Sequence, residues 1–138
     1  MVKIPEEAKP VFEKQRVLPF ATATSDGVPN SVFVAFWWFE GDDTVVVIDN
    51  FLGKTRRNLE ANPWGTVTAF DMEKHKAYQL KGRAVIQTEG PRVERGKAMA
   101  KKFKEDRNME MPAKAAVVLT VEEVYFLAPG PDAGKRLA

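Results

Sequence analysis

The residues best suited to chemistry lie in one stretch, FLGKTRRNLEANPWG at positions 51–65. Gly53 is followed at once by Lys54, Thr55, Arg56 and Arg57, and the pattern predicts a short helix that opens there and stops at Asn62 before Pro63. That is an unfavourable place for cations. The first turn of a helix carries a partial positive charge, so each Lys or Arg there costs about 0.3–1 kcal/mol unless it bends into water or an anion sits among them. The residue types suit a phosphate. Gly53 lets the backbone approach closely, free N–H groups of the helix start point outward, and Lys54 and the Thr55 hydroxyl can donate hydrogen bonds. Arg56 or Arg57 can add a bidentate contact. The plain alternative is a solvated basic helix face. The stretch is not a P-loop, because the strand–GxxxxGK[ST]–helix spacing is absent.

Little else in the chain can carry acid–base or nucleophilic chemistry. Its 138 residues include no cysteine and one histidine. That removes thiolates, disulfides and cysteine metal sites, and leaves Ser-His and His-metal chemistry almost nothing to work with. His75, in MEKHK, is expected in a solvated turn, and SDG at 25–27 reads as a turn rather than a nucleophile. No catalytic side chain and no metal ligand is therefore assigned. Trp37, Trp38 and Trp64 could flank a planar ring but read as packing. Glu122-Glu123 marks a bulge or an edge of the last strand. A formal charge of +2 is too small to argue for nucleic acid. No apolar run resembles a signal peptide or a membrane span. The expectations are no nucleic acid, no membrane and a cytoplasmic location, which the lack of cysteine fits.

The length suits one domain, residues 1–138. Residues 5–17 read as a short helix that Pro10 must kink or restart. LPFATATSDGVPNSVFVAFWWF reads as two strands about a tight turn at Asp26-Gly27, and TVVVIDN as a third after EGDD. GTVTAFDM and KAYQLKGRAVIQT form a further hairpin. After Gly90-Pro91 comes an amphipathic helix with Val93, Gly96, Met99, Ala100 and Phe103 on one stripe. AAVVLTVEEVYFLAP supplies the last strand. The fold class is mainly β (α+β), a six-stranded antiparallel barrel, closed or half-open, with short flanking helices. VFVAFWWF and VVVI are apolar on both faces, so the outer face needs cover; three short helices cover little, which predicts a homodimer.

The order of these features, a hairpin with SDGVPNS at its turn, VVVIDNFLGKTRRNLEANP, a strand pair with LKGRAVI, a helix and a closing strand, resembles the FMN-binding split barrel family, which includes pyridoxamine 5'-phosphate oxidase and small FMN-binding proteins. The resemblance runs from about Val11 to the C-terminus and is most specific from Val45 to Pro63. It implies that Lys54 and Thr55, beside Gly53 and with Arg57 as a weaker candidate, hold the FMN phosphate. Ile48, Asp49 and Asn50 match the strand end whose backbone meets the pyrimidine edge of the flavin. Phe33, Val34 and Ala35 match the segment lining the ring and ribityl chain, while Asn58 matches a structural position of the helix. The resemblance also implies a flavin at a dimer interface, completed by the second chain. The vitamin-producing oxidases carry an Arg and a Lys at positions that fall here at about Val32 and Trp37, and their substrate-phosphate arginines are not seen in the C-terminal tail, which argues against pyridoxamine-phosphate oxidase activity.

A flavin enzyme needs no catalytic Cys or His, because the isoalloxazine carries the electrons. The leading expectation is an FMN-binding oxidoreductase or electron carrier that exchanges electrons with a small-molecule or protein donor or acceptor. The alternatives are a split barrel holding the deazaflavin F420, a non-catalytic flavin- or ligand-binding module, and a barrel that binds single strands through Lys54, Arg56, Arg57 and aromatics. The last lacks a basic stripe with stacking residues, since the cations of KAMAKKFKEDR lie on a separate helix among acids.

Overall fold

β-Branched and aromatic runs broken by Gly, Pro and Asp turns give a protein built almost wholly from hairpins. In the computed structural model, which describes residues 2–138, α1 (Lys9–Gln15) leads into the hairpin β1 (Leu18–Ala23) and β2 (Pro29–Val34). Its turn holds Gly27 at a left-handed φ of 92°. β3 (Trp37–Glu40) and β4 (Thr44–Asp49) form a second hairpin, followed by α2 (Lys54–Ala61). The hairpin β5 (Trp64–Asp71) and β6 (Lys76–Gln87), helix α3 (Pro91–Arg107) and β7 (Ala115–Phe126) complete the chain. All ladders are antiparallel, in the order β2-β1-β5-β6-β7-β4-β3. Among the described residues no helix is long and apolar enough to cross a membrane.

The sheet has seven strands, one more than the sequence suggests. VFVAFWWF is unbroken in hydropathy, but it changes partners at Ala35-Phe36: β2 pairs with β1 at one edge of the sheet, and β3 pairs with β4 at the other. The chain itself therefore bridges the open seam of a curled half-barrel. The first helix is shorter than residues 5–17, because Pro10 occupies its second position, where a missing N–H goes unused, and so starts the helix rather than kinking it.

Inside the curl, Phe12, Leu18, Phe20, Trp37, Leu80 and Leu119 form the centre of the main core. A second cluster lies outside the sheet, where the apolar stripe of α3 packs Val93 and Ala100 on Val46, Ile48 and Trp38. Gly96 makes this close approach feasible, since a Cβ there would sit 2.6 Å from the Ile48 Cδ1. The outer cover of β4 that the sequence left to a second subunit is thus supplied by α3, whose 17 residues reach further than a short helix would. The acidic pair of the last strand does mark a bulge. Lys81 faces Glu123 and Gly82 faces Val121, so Glu122 is the unpaired extra residue.

Candidate functional site

The stretch rich in cations begins where β4 runs out. Asp49 is 2% exposed, and its Oδ1 accepts the Leu52 N–H at 3.0 Å while Oδ2 accepts from the Arg56 guanidinium at 3.2 Å. Asn50 Oδ1 accepts the Ala113 N–H at 3.0 Å and ties the loop to the segment before β7. Gly53 then takes φ 51° and ψ −110°, a backbone that favours glycine, and a Cβ on it would meet nothing within 4 Å. The space beside Gly53 is therefore open.

The four residues after Gly53 divide sharply. Arg56 is already paired, with Asp49 and at 3.7 Å with Glu60 one turn on. Thr55 is fully buried, its hydroxyl accepts from Asn30 Nδ2 at 2.9 Å, and its N–H is bonded to the Leu52 carbonyl at 2.9 Å. Asn30 also reaches Thr22 Oγ1 at 3.3 Å, to which Asn58 donates at 3.1 Å. This network seats α2 on β1 and β2, with Asn58 in the structural position expected of it and Thr55 facing inward rather than toward a ligand. Lys54 and Arg57 are exposed, and neither joins an ion pair among the described residues. They are the cations still lacking an anion.

Beside this turn lies a cleft of about 220 Å³. One wall is the end of β2 and the bend after it, Val32 to Phe36; the other is Ile48 with Asn50, Phe51 and Leu52. The structure thus brings Phe33, Val34, Ala35, Ile48 and Asn50 together. It places Asp49 behind the wall as the support of the loop, and Gly53, Lys54, Thr55 and Arg57 just beyond the lining, on the next residues of the chain. Phe103 of α3 and Met111 close one end, and neither is among the residues that sequence reasoning assigned to the site. Phe103 sits on the apolar stripe and packs edge-on against Phe36 at 5.4 Å, so its pattern reads as packing alone. Phe33 and Phe51, 77% and 70% exposed, stand among the lining residues. Among the described residues no group of three His, Asp or Glu is placed to hold a metal ion.

Asp49 gives the first prediction. Asp49→Ala removes a buried acceptor that serves both a backbone N–H and a guanidinium, so stability should fall by about 1–3 kcal/mol. A urea midpoint equal to that of the wild type would contradict the role given to this carboxylate.

Comparisons with known proteins identify the family and the fold. The family model for pyridoxamine 5'-phosphate oxidase matches residues 4–128. An uncharacterized protein of Methanocaldococcus jannaschii is 36% identical over 140 aligned positions, which cover 100% of this chain and 90% of that protein. The crystal structure of HupZ from Group A Streptococcus is 32% identical, with a TM-score of 0.74 over 95% of this chain and 99% of that one. More distant structures share the fold at 16–18% identity and TM-scores of 0.64–0.73, each covering at least 86% of both chains. They are an FMN-binding protein from Syntrophomonas wolfei, an F420 reductase, and the heme storage protein HutZ from Vibrio cholerae.

Proposed function

Because the chain belongs to the pyridoxamine 5'-phosphate oxidase family, we propose that it is a flavoprotein that holds FMN in the cleft between the end of β2 and the β4–α2 turn and works as an oxidoreductase or electron carrier. The observation that carries this reading is the pair of unpaired cations, Lys54 and Arg57, on a helix start with clear space above Gly53, beside a cleft walled by the ends of β2 and β4 and the turns that follow them. A phosphate monoester carries close to two negative charges at neutral pH and matches two free cations. The walls at Phe33–Ala35 and Ile48–Asn50 would hold the ring and its polar edge. Bound FMN supplies the hydride or single-electron chemistry, and the chain supplies position and exclusion of water.

One chain leaves the site unfinished. A cleft of about 220 Å³ is smaller than the roughly 300–1,000 Å³ of ordinary small-molecule sites, and Phe33 and Phe51 stand largely bare among its lining. A second copy of the chain closing over these rings would complete the wall, so the functional unit proposed is a homodimer. The electron donor or acceptor is a small molecule or another protein. Val32 and Trp37 offer no cation, and Trp37 is buried in the core, so pyridoxamine-phosphate oxidation itself is not proposed. A cytoplasmic location goes with the reading, since a chain without cysteine gains nothing from an oxidising compartment.

The competing reading is F420 in the same cleft, favoured by the shared fold of an F420 reductase. Titrating the protein with FMN, F420 and hemin, followed by quenching of ligand or tryptophan fluorescence, separates the cases. FMN is expected to saturate at one per chain with the tightest binding. Tighter binding of F420 would install the alternative, and failure of all three to bind would remove the cofactor reading altogether.

A further inference from the structure

A second and larger groove, of about 570 Å³, lies between the end of α1 and the exposed side of α3. It shares a wall with the first cleft, because Ala35, Phe36 and Phe103 line both. The rest of its charged lining is lopsided: Arg16, Lys102 and Arg107 against one carboxylate, Asp106.

Arg16 is fixed in place. It ends α1 with a left-handed φ of 65°, donates from Nη2 to the Ala35 carbonyl at 3.2 Å and to the Trp37 carbonyl, and lies 4.5 Å over the Trp37 ring. The Trp37 indole returns a hydrogen bond to the Arg16 carbonyl at 2.6 Å. Yet none of the ion pairs among the described residues includes Arg16, Lys102 or Arg107. Partial burial holds the Arg16 guanidinium below its ordinary pKa; the Glu13 carboxylate opposes this and the nearby charge of Arg95 adds to it. Arg16 is thus held by two carbonyls and an indole ring rather than by an ion pair, which leaves its remaining N–H donors to an anion. Two lysine or arginine heads across the groove, beyond a guanidinium with donors to spare, match a phosphate better than a single carboxylate. The volume also falls within the range of small-molecule sites.

We propose that this groove binds the phosphate-bearing part of a nucleotide-type ligand whose other end reaches past Phe36 and Phe103 into the neighbouring cleft. The idea that this ligand meets a cofactor rests on the FMN reading above, whereas phosphate binding in the groove does not.

The test is calorimetric titration of the FMN-loaded protein with NADP⁺, AMP and inorganic phosphate, repeated with the double variant Lys102→Ala, Arg107→Ala. Both side chains are exposed, so the fold should stand. NADP⁺ or AMP is expected to saturate one site per chain, and the double variant to weaken that binding at least about tenfold while FMN affinity stays unchanged. Tighter binding of NADP⁺ than of AMP identifies a dinucleotide site, and equal binding identifies a single-phosphate site; both support the proposal. No binding of NADP⁺ or AMP at millimolar concentration, binding of inorganic phosphate alone, or an affinity untouched by the double variant overturns it. Nucleotide binding that survives in a protein unable to take up FMN would sink the cofactor reading and leave this one standing.

Discussion

Lys54→Ala combined with Arg57→Ala is expected to weaken FMN binding by about a hundredfold or more while leaving the apo-protein as stable as before, or slightly more so. The two parts of this result come from one cause. Each residue, on the account above, gives the phosphate a charge-assisted hydrogen bond worth about 1.5–3 kcal/mol, and every 1.4 kcal/mol is a factor of ten in affinity. Without the phosphate, the same cations sit in the first turns of α2, where positive charge opposes the helix dipole by a few tenths of a kcal/mol each, and alanine is the best helix former. Arg56 is the control. It is tied to buried Asp49, so Arg56→Ala should lower stability, with a smaller effect on affinity than the double change. The measurements are an FMN titration and a thermal melt of the apo-protein. An unchanged affinity in the double variant would leave the basic turn as a solvated helix face.

Gly82→Ala is expected to be the most damaging single methyl in the protein. At the β6–β7 bulge, a Cβ on residue 82 would fall 2.1 Å from the Thr120 carbonyl oxygen and 2.7 Å from its carbon. These are backbone atoms in the longest ladder of the sheet, so no side-chain rotation relieves the clash. Overpacking commonly costs about 1–3 kcal/mol and more where backbone must move. This loss would come from a total stability of only about 5–15 kcal/mol. We expect at least about 3 kcal/mol of destabilisation, read as a fall in the urea midpoint, or failure to accumulate as folded protein. Gly53→Ala is a contrast: its Cβ has open space, so the cost comes from the backbone alone, whose φ 51° and ψ −110° strain a residue with a side chain by about 1–3 kcal/mol. A Gly82→Ala variant as stable as wild type would mean that the bulge is not packed as described.

How far the sequence could be read depends on the range of each interaction. Hairpins are legible because their signals are local: the turn at Asp26-Gly27 and the neighbouring segments GTVTAFDM and KAYQLKGRAVIQT need no knowledge of distant residues. The stripe of α3 was legible for the same reason. The change of partner at Ala35-Phe36 was not, because hydropathy runs on unbroken while the pairing moves from one sheet edge to the other. The reach of α3 over β4 is not legible locally, because the depth of its packing depends on Gly96 meeting Ile48, a contact between distant segments.

Within the site, the strand segments Phe33–Ala35 and Ile48–Asn50 came from family resemblance, and the cleft does bring most of them together. Thr55 shows the limit of reading types without faces. It lies four residues before buried Leu59, a spacing that puts both on one side of a helix, and that side packs on the sheet. That signal was available in the sequence. Arg16 left none, since QRVL carries no pattern and its role depends on carbonyls about twenty residues away.

The measurement that bears most directly on the central claim is the visible absorption spectrum of the freshly purified protein, followed by mass analysis of whatever heat releases from it. The account predicts an oxidised-flavin spectrum and released FMN at close to one per chain. A heme or deazaflavin spectrum, or a colourless protein that takes up no added FMN, would contradict it.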